Sequence, residues 1–105
     1  MEDHNLKFLQ ACESGKLSLV EQSISFAEVN VVEKVDGNSG LMIASRDAHG
    51  EVVNYLLDNP QVDVNLSNKF GYTALMLAAQ NGNMDILEML LEIDDVDLDI
   101  VNKAG

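Results

Sequence analysis

Tryptophan is absent from this chain, and proline, cysteine and basic residues are scarce: one proline, one cysteine and six Lys or Arg among 105 residues. Each shortage excludes something. The lone cysteine, Cys12, has no partner for an internal disulfide, so the chain is not a disulfide-framed secreted scaffold. A reducing compartment, cytoplasm or nucleus, is expected. Six bases against eighteen acids leave a net charge of −12. That balance argues against nucleic acid, whose phosphates need a Lys- and Arg-rich surface, and against anionic membrane. No apolar run approaches the roughly 20 residues that span a bilayer. Met1-Glu2-Asp3-His4 is acidic, and no apolar signal core follows it. Hydrophobic residues are nevertheless plentiful, at 47% of the chain. That is enough for a packed core in one domain.

The apolar residues recur. Displaced by 34, the chain meets itself: Gly37 falls on Gly71, Leu41 on Leu75, Met42 on Met76, Ala44 on Ala78, Leu56 on Leu90 and Leu57 on Leu91. The register continues to Asn102-Lys103, which repeats Asn68-Lys69. The first third matches at an offset of 33, with Ala11 on Ala44, Cys12 on Ser45, Val20 on Val53 and Val29 on Val62. Three units follow, at 1–33, 34–67 and 68–101, and 102–105 reads as the opening of another in a longer array.

Every unit has one grammar. In the third, the Thr73 hydroxyl is placed to cap a helix over Ala74–Asn81, where Ala78 and Ala79 admit a close neighbour. Gly82 suits a turn with positive φ. A second helix is predicted over Met84–Glu92, with Ile86, Leu87, Leu90 and Leu91 on one face. Val96, Leu98 and Ile100 alternate with acids, the pattern of an extended connector with those three facing inward. Neither helix can bury its apolar stripe alone, so the units must stack. Leu6 to Glu33 has polar positions among apolar ones, such as Ser23 where Leu56 and Leu90 stand later. This is the composition of a capping unit whose outer face meets water. The last unit has no such polar substitutions, and its uncapped end could pair two copies of an otherwise monomeric chain.

Gly71-Tyr72-Thr73-Ala74-Leu75-Met76-Leu77-Ala78-Ala79-Gln80-Asn81-Gly82 resembles the ankyrin repeat signature G-x-T-P-L-H-L-A-A-x-x-G, and Met84–Leu91 resembles the second helix of that repeat. The resemblance implies an all-α ankyrin repeat solenoid of stacked helix-turn-helix units with β-hairpin connectors. There are departures. The signature proline is Gly40 and Ala74, its histidine is Met42 and Met76, and the turn glycine of the middle unit is Ala48, with Gly50 close by. Glycine is a poor helix former, so the helix beginning at Gly40 is expected to be weakly held.

The family implies a recognition surface for a protein or peptide on the concave face of hairpins and first helices, as in a scaffold or adaptor. The alternative is a regulatory or inhibitory domain of a larger enzyme or channel. Carried onto this chain, the hairpin tips are Val35, Asp36 and Asn38, then Lys69, Phe70 and Tyr72. The first-helix surface is Glu13 and Ser14, Arg46 and Asp47, then Gln80 and Asn81. Phe70 and Tyr72 flank a glycine at positions expected to point outward, and rigid aromatics are enriched at interface hot spots. Met42 and Met76 are expected to fill space against adjacent helices.

Glu92, Asp94, Asp95, Asp97 and Asp99 crowd the end of the third unit. They form either a solvated loop or an attractor for a partner with a basic patch. Asp95-Val96-Asp97-Leu98-Asp99 lacks the glycine and glutamate of a calcium loop, because Ile100 stands sixth. His49 sits where a ring can bridge backbone groups between helices. Cys12, at a small-residue position without a basic neighbour, is expected to be buried and inert. No phosphate loop, nucleophile-base set or metal-spaced ligand set is present, so neither catalysis nor a cofactor is expected. Leu57 followed by Asp63-Val64-Asn65 also resembles the ankyrin segments modified by an asparaginyl hydroxylase, making Asn65 a candidate for hydroxylation. The structural alternative is that the Asn65 amide ties backbone together.

Overall fold

In the computed structural model, residues 3–98 are described, and the segments proposed beyond them, Ile100 and 102–105 included, lie outside. Six helices follow one another: α1 His4–Ser14, α2 Leu17–Ile24, α3 Gly40–Arg46, α4 Gly50–Leu57, α5 Ala74–Gln80 and α6 Met84–Leu91. Each odd helix packs on the even helix that follows it. The odd helices α1, α3 and α5 then form one layer, and α2, α4 and α6 the other. The stack measures 41 × 25 × 22 Å.

The helices begin where the side chains cap them. Ser39 accepts from the Met42 N–H at 3.2 Å, Thr73 from Met76 at 3.3 Å and Asn83 from Ile86 at 3.2 Å. Each bond satisfies a donor that the helix itself cannot. Between the two helices of a unit the chain turns through a residue at positive φ. That residue is Gly15 at 74°, Ala48 at 64° and Gly82 at 70°. The middle unit therefore makes its turn on Ala48 itself. Gly50 lies beyond the turn, as the first residue of α4.

Three alanines, Ala11, Ala44 and Ala78, occupy equivalent places in the first-helix layer, exposed by 4%, 0% and 0%. Their small size lets these helices approach. The core continues through Val20, Val52, Val53, Leu56, Ile86 and Leu90 in the second layer. Each such side chain contributes about 1.5–3 kcal/mol by leaving water. Met42 is buried and Met76 half-buried. Ser45 is fully buried between its neighbours, and its hydroxyl has no hydrogen-bond partner among the described residues.

Gly40 proves to be a packing residue. A Cβ there would lie 2.8 Å from Cys12 Sγ and 3.1 Å from Phe8 Cε2. The middle unit starts on glycine because α1 sits against that backbone. The poor helix former is the condition for contact with the first unit.

The connectors are slighter than the expected β-hairpins. One antiparallel bridge closes each, Val32 to Ser39 and Ser67 to Thr73. At the end of the third unit Val96 is half-buried, and Leu98, the last described residue, is 66% exposed. The Val96 N–H returns to the Ile93 carbonyl at 3.1 Å, a turn that ends where the alternating segment begins and that Val62 repeats in the second unit.

The pairing of Val29 with Val62 is corrected as well. Val29 and Val64 are the buried pair, at 8% and 6% exposure. Asn30 does for the second unit what Asn65 does for the third. The Asn30 amide donates to the Gln61 carbonyl at 2.8 Å and accepts from Asp63 N–H at 2.7 Å. The Asn65 amide donates to Asp95 at 2.8 Å and accepts from Asp97 N–H at 2.7 Å. The first connector is thus two residues shorter after its helix than the second, and its hairpin is one residue longer.

Two substitutions separate the turn from the packing. Ala48→Gly is expected to raise unfolding free energy by about 0.5–1 kcal/mol, because glycine tolerates positive φ where alanine is strained. Gly40→Ala is expected to lower it by about 1–3 kcal/mol through overpacking, despite alanine's better helix propensity. Urea denaturation of each variant measures both. A Gly40→Ala chain at least as stable as the parent would show that the contact with α1 does not require glycine.

Candidate protein-binding surface

The hairpins lead directly into the first helices, and the two hairpin tips are built alike. In the first, Glu33 Oε1 accepts from the N–H groups of Asp36 at 2.7 Å and Gly37 at 2.9 Å. In the second, Asn68 Oδ1 accepts from Phe70 at 2.9 Å and Tyr72 at 3.0 Å. Glu33 and Asn68 hold the tips and were not among the expected site residues. An acceptor side chain a few positions ahead of each tip glycine was the available signal. Partial desolvation pushes the Glu33 carboxyl up, but backbone donors from Gly37 and Asp36 and the nearby Lys69 charge outweigh it, and the group ends below its ordinary range.

The tips are fastened to each other. Lys69 N–H donates to the Asp36 carbonyl at 2.9 Å. The Asn68 amide donates to Asn38 Oδ1 at 2.9 Å, and the Lys69 ammonium donates to the Lys34 carbonyl. Asp36 and Lys69 thus serve the junction between tips. Asn38, expected at the surface, is 4% exposed and belongs to the interior. Tyr72, at the equivalent place, is half-buried and packs against the core. Both stand directly before the capping Ser39 or Thr73, where the chain has already turned inward. The apex residues behave differently. Val35 is 80% exposed and Phe70 54% exposed. Of the two aromatics expected to point outward, Phe70 does and Tyr72 does not.

On the first helices, Arg46 grips Asp47 with two bonds of 2.8 and 3.0 Å and approaches Glu13 to 3.9 Å. The Arg46 hydrogen bonds lower the Asp47 carboxyl, and those same bonds raise the guanidinium. Glu13, Ser14, Gln80 and Asn81 are exposed. Asn81 also donates to the Arg46 carbonyl at 2.8 Å, and His49 Nε2 meets the Glu13 carbonyl at 2.9 Å, so Nε2 carries a proton there. Those two carbonyls are equivalent, each capped by a side chain of the next unit. The ring of His49 lies over Gly15, where any Cβ would collide with it.

Elsewhere, Asn65 is half-buried with both ends of its amide engaged, which places it in the stack's own hydrogen bonding. Cys12 is buried, and burial pushes its thiol up to about 12. Among the described residues no three His, Cys, Asp or Glu are grouped to hold a metal, and no helix is long and apolar enough to cross a membrane. A groove of about 440 Å³ lies between α1 and α2, lined by Lys7, Leu19, Gln22 and Phe26 among others. Leu19 and Gln22 correspond to Val52 and Tyr55, residues of the second unit's packed layer. The first unit's outer face, expected to be simply wet, therefore exposes Phe26 by 71%.

Paired helices stacked in two layers, with neighbouring hairpin tips tied together, define a helical repeat stack. A family model described as ankyrin repeats matches residues 8–102 in three copies, and the chain belongs to the ankyrin repeat family. No curated protein matches it. Ankyrin repeats are generally protein-interaction modules and typically non-catalytic, and no other family is matched in this chain.

The tip geometry fixes the sign of a pH effect. The Glu33 carboxyl is lowered on folding, so its contribution is present above the ordinary glutamate range and is lost as pH falls through the folded value. Glu33→Gln keeps one acceptor oxygen and removes the titration. The parent is expected to lose stability more steeply than this variant on acidification. Parallel slopes in urea titrations across the acid range would remove Glu33 from that role.

Proposed function

We propose that this chain holds a protein partner on its hairpin and first-helix side, with Val35 and Phe70 as apolar anchors, as a module of a scaffold or adaptor. One observation carries the reading. Two large apolar side chains stand exposed on neighbouring tips, Val35 by 80% and Phe70 by 54%, and the backbones of those tips are tied together. Exposed apolar groups held rigidly lose little freedom on binding. Arg46, Asp47, Gln80 and Asn81 border that site, Asp36 and Lys69 fix the tips, and Asn38 and Tyr72 support it from within.

Val35→Ala and Phe70→Ala together are expected to weaken the partner by about tenfold or more, the scale of a lost hot spot. Far-UV circular dichroism should be unchanged, because neither side chain is buried. Affinity capture from lysate with parent and variant as paired baits identifies the partner. Titration of that purified protein then gives the two affinities. Equal affinities would move the site away from the tips.

A second reading rests on the other end of the stack. Met84, Leu91 and Leu98 are 61%, 47% and 66% exposed, and Leu91 and Leu98 repeat Leu57 and Val64, which are half-buried and buried at the preceding junction. Pairing of two copies through this face would appear as a concentration-dependent sedimentation coefficient, abolished by Leu91→Glu. A monomer at every concentration would discard it.

A further inference from the structure

The acidity of this chain is not spread evenly. The second helices and their connectors, residues 15–30, 48–65 and 82–98, hold eleven acids and a single base, Lys16. The first helices and hairpins, residues 3–14, 31–47 and 66–81, hold five acids and four bases. Residues 66–81 contain no acid at all. The second helices and connectors therefore carry nearly the whole net charge, and the first helices and hairpins, which bear the apolar apices, are close to neutral.

Lys34 and Asp36, of opposite sign, flank Val35, and most of the other charges of these elements are engaged within them. Arg46 is bound through two bonds to Asp47 and lies beside Glu13. Glu33 accepts backbone donors of its own tip, and the Lys69 ammonium reaches the Lys34 carbonyl. Charges in physiological salt are screened over about 8 Å, so acids farther than that from the apices act on them weakly.

From this segregation, and granting that the tips are the binding site, we infer that their occupant is an apolar segment of a partner protein carrying little net charge. The chain's acidity takes no part in holding it. A basic segment would be drawn to the second-helix and connector side, away from Val35 and Phe70. A strongly acidic segment would find no uncommitted cluster of bases beside the apices. An uncharged apolar segment gives up no charge hydration on leaving water there. It meets two side chains whose separation is already set by the Lys69 to Asp36 backbone bond, 2.9 Å long.

The test is selection of random peptides displayed on phage against the whole chain in physiological salt. Titration of the enriched peptides follows, at that salt and at about three times it, where screening is stronger. Enriched peptides are expected to be apolar and near neutral, with affinities differing less than about twofold between the two salts. They should bind the Val35→Ser, Phe70→Ser variant at least about tenfold more weakly. Far-UV dichroism establishes first that the variant is folded. Basic or salt-labile peptides that still require Val35 and Phe70 would overturn the inference while leaving the site in place. A selection that yields no peptide dependent on the two apices would overturn the reading of the site on which the inference rests.

Discussion

Each unit of this stack hydrogen-bonds to its neighbour through backbone groups that its own helices leave open, and the rest of the structure depends on those junctions. The Glu13 and Arg46 carbonyls are met by His49 and Asn81 of the following units. On the connector side the direction reverses, and Asn30 and Asn65 reach forward to the next unit's backbone. At the tips the Asp36 carbonyl receives the Lys69 N–H. Buried or half-buried polar groups are costly when unpaired, so a stack that slipped by one residue would lose several of these bonds together. Apolar burial makes the units cohere, while the hydrogen bonds set how they meet.

That arrangement divides labour between the two sides. Connector asparagines and second helices are occupied with holding the stack, and their surroundings carry the acids. The hairpin side has its tips braced, and its two apolar apices stand exposed among the described residues. The surface is rigid because the bonds that brace it are the same ones that join neighbouring units. Recognition there draws on order that folding has already established.

Much of this was legible in the residues. Period, helix pairing and caps follow from short-range rules, and α5 and α6 end within one residue of their expected limits. Legibility failed where one residue of loop length decides which way a side chain points. Asn38 and Tyr72 sit beside tip glycines and looked exposed, but the step into Ser39 or Thr73 turns each inward. The match of Val29 to Val62 failed for a related reason. A short connector and a long hairpin nearly cancel, and similarity alone could not locate the two changes. Gly40 was read from intrinsic propensity, whereas its meaning lay with Cys12 and Phe8, near-neighbours only in the folded chain. The unequal distribution of acids was present in the sequence throughout, but it acquired a direction only once helices were assigned to layers.

The close seat of Gly40 against Cys12 and Phe8 bears on how such an array can grow. The bonds made by Asn30 and Asn65 are the same in kind across connectors of different length, so those contacts are alike from one unit to the next. The first-helix junctions are not. The middle unit is keyed to the first by the absence of a side chain, while Ala74 begins the third with a methyl group at the same position. Placing the third unit directly on the first would bring that methyl group against Cys12 and Phe8, where a Cβ has no room. The array is modular on its acidic side and pedigreed on the other.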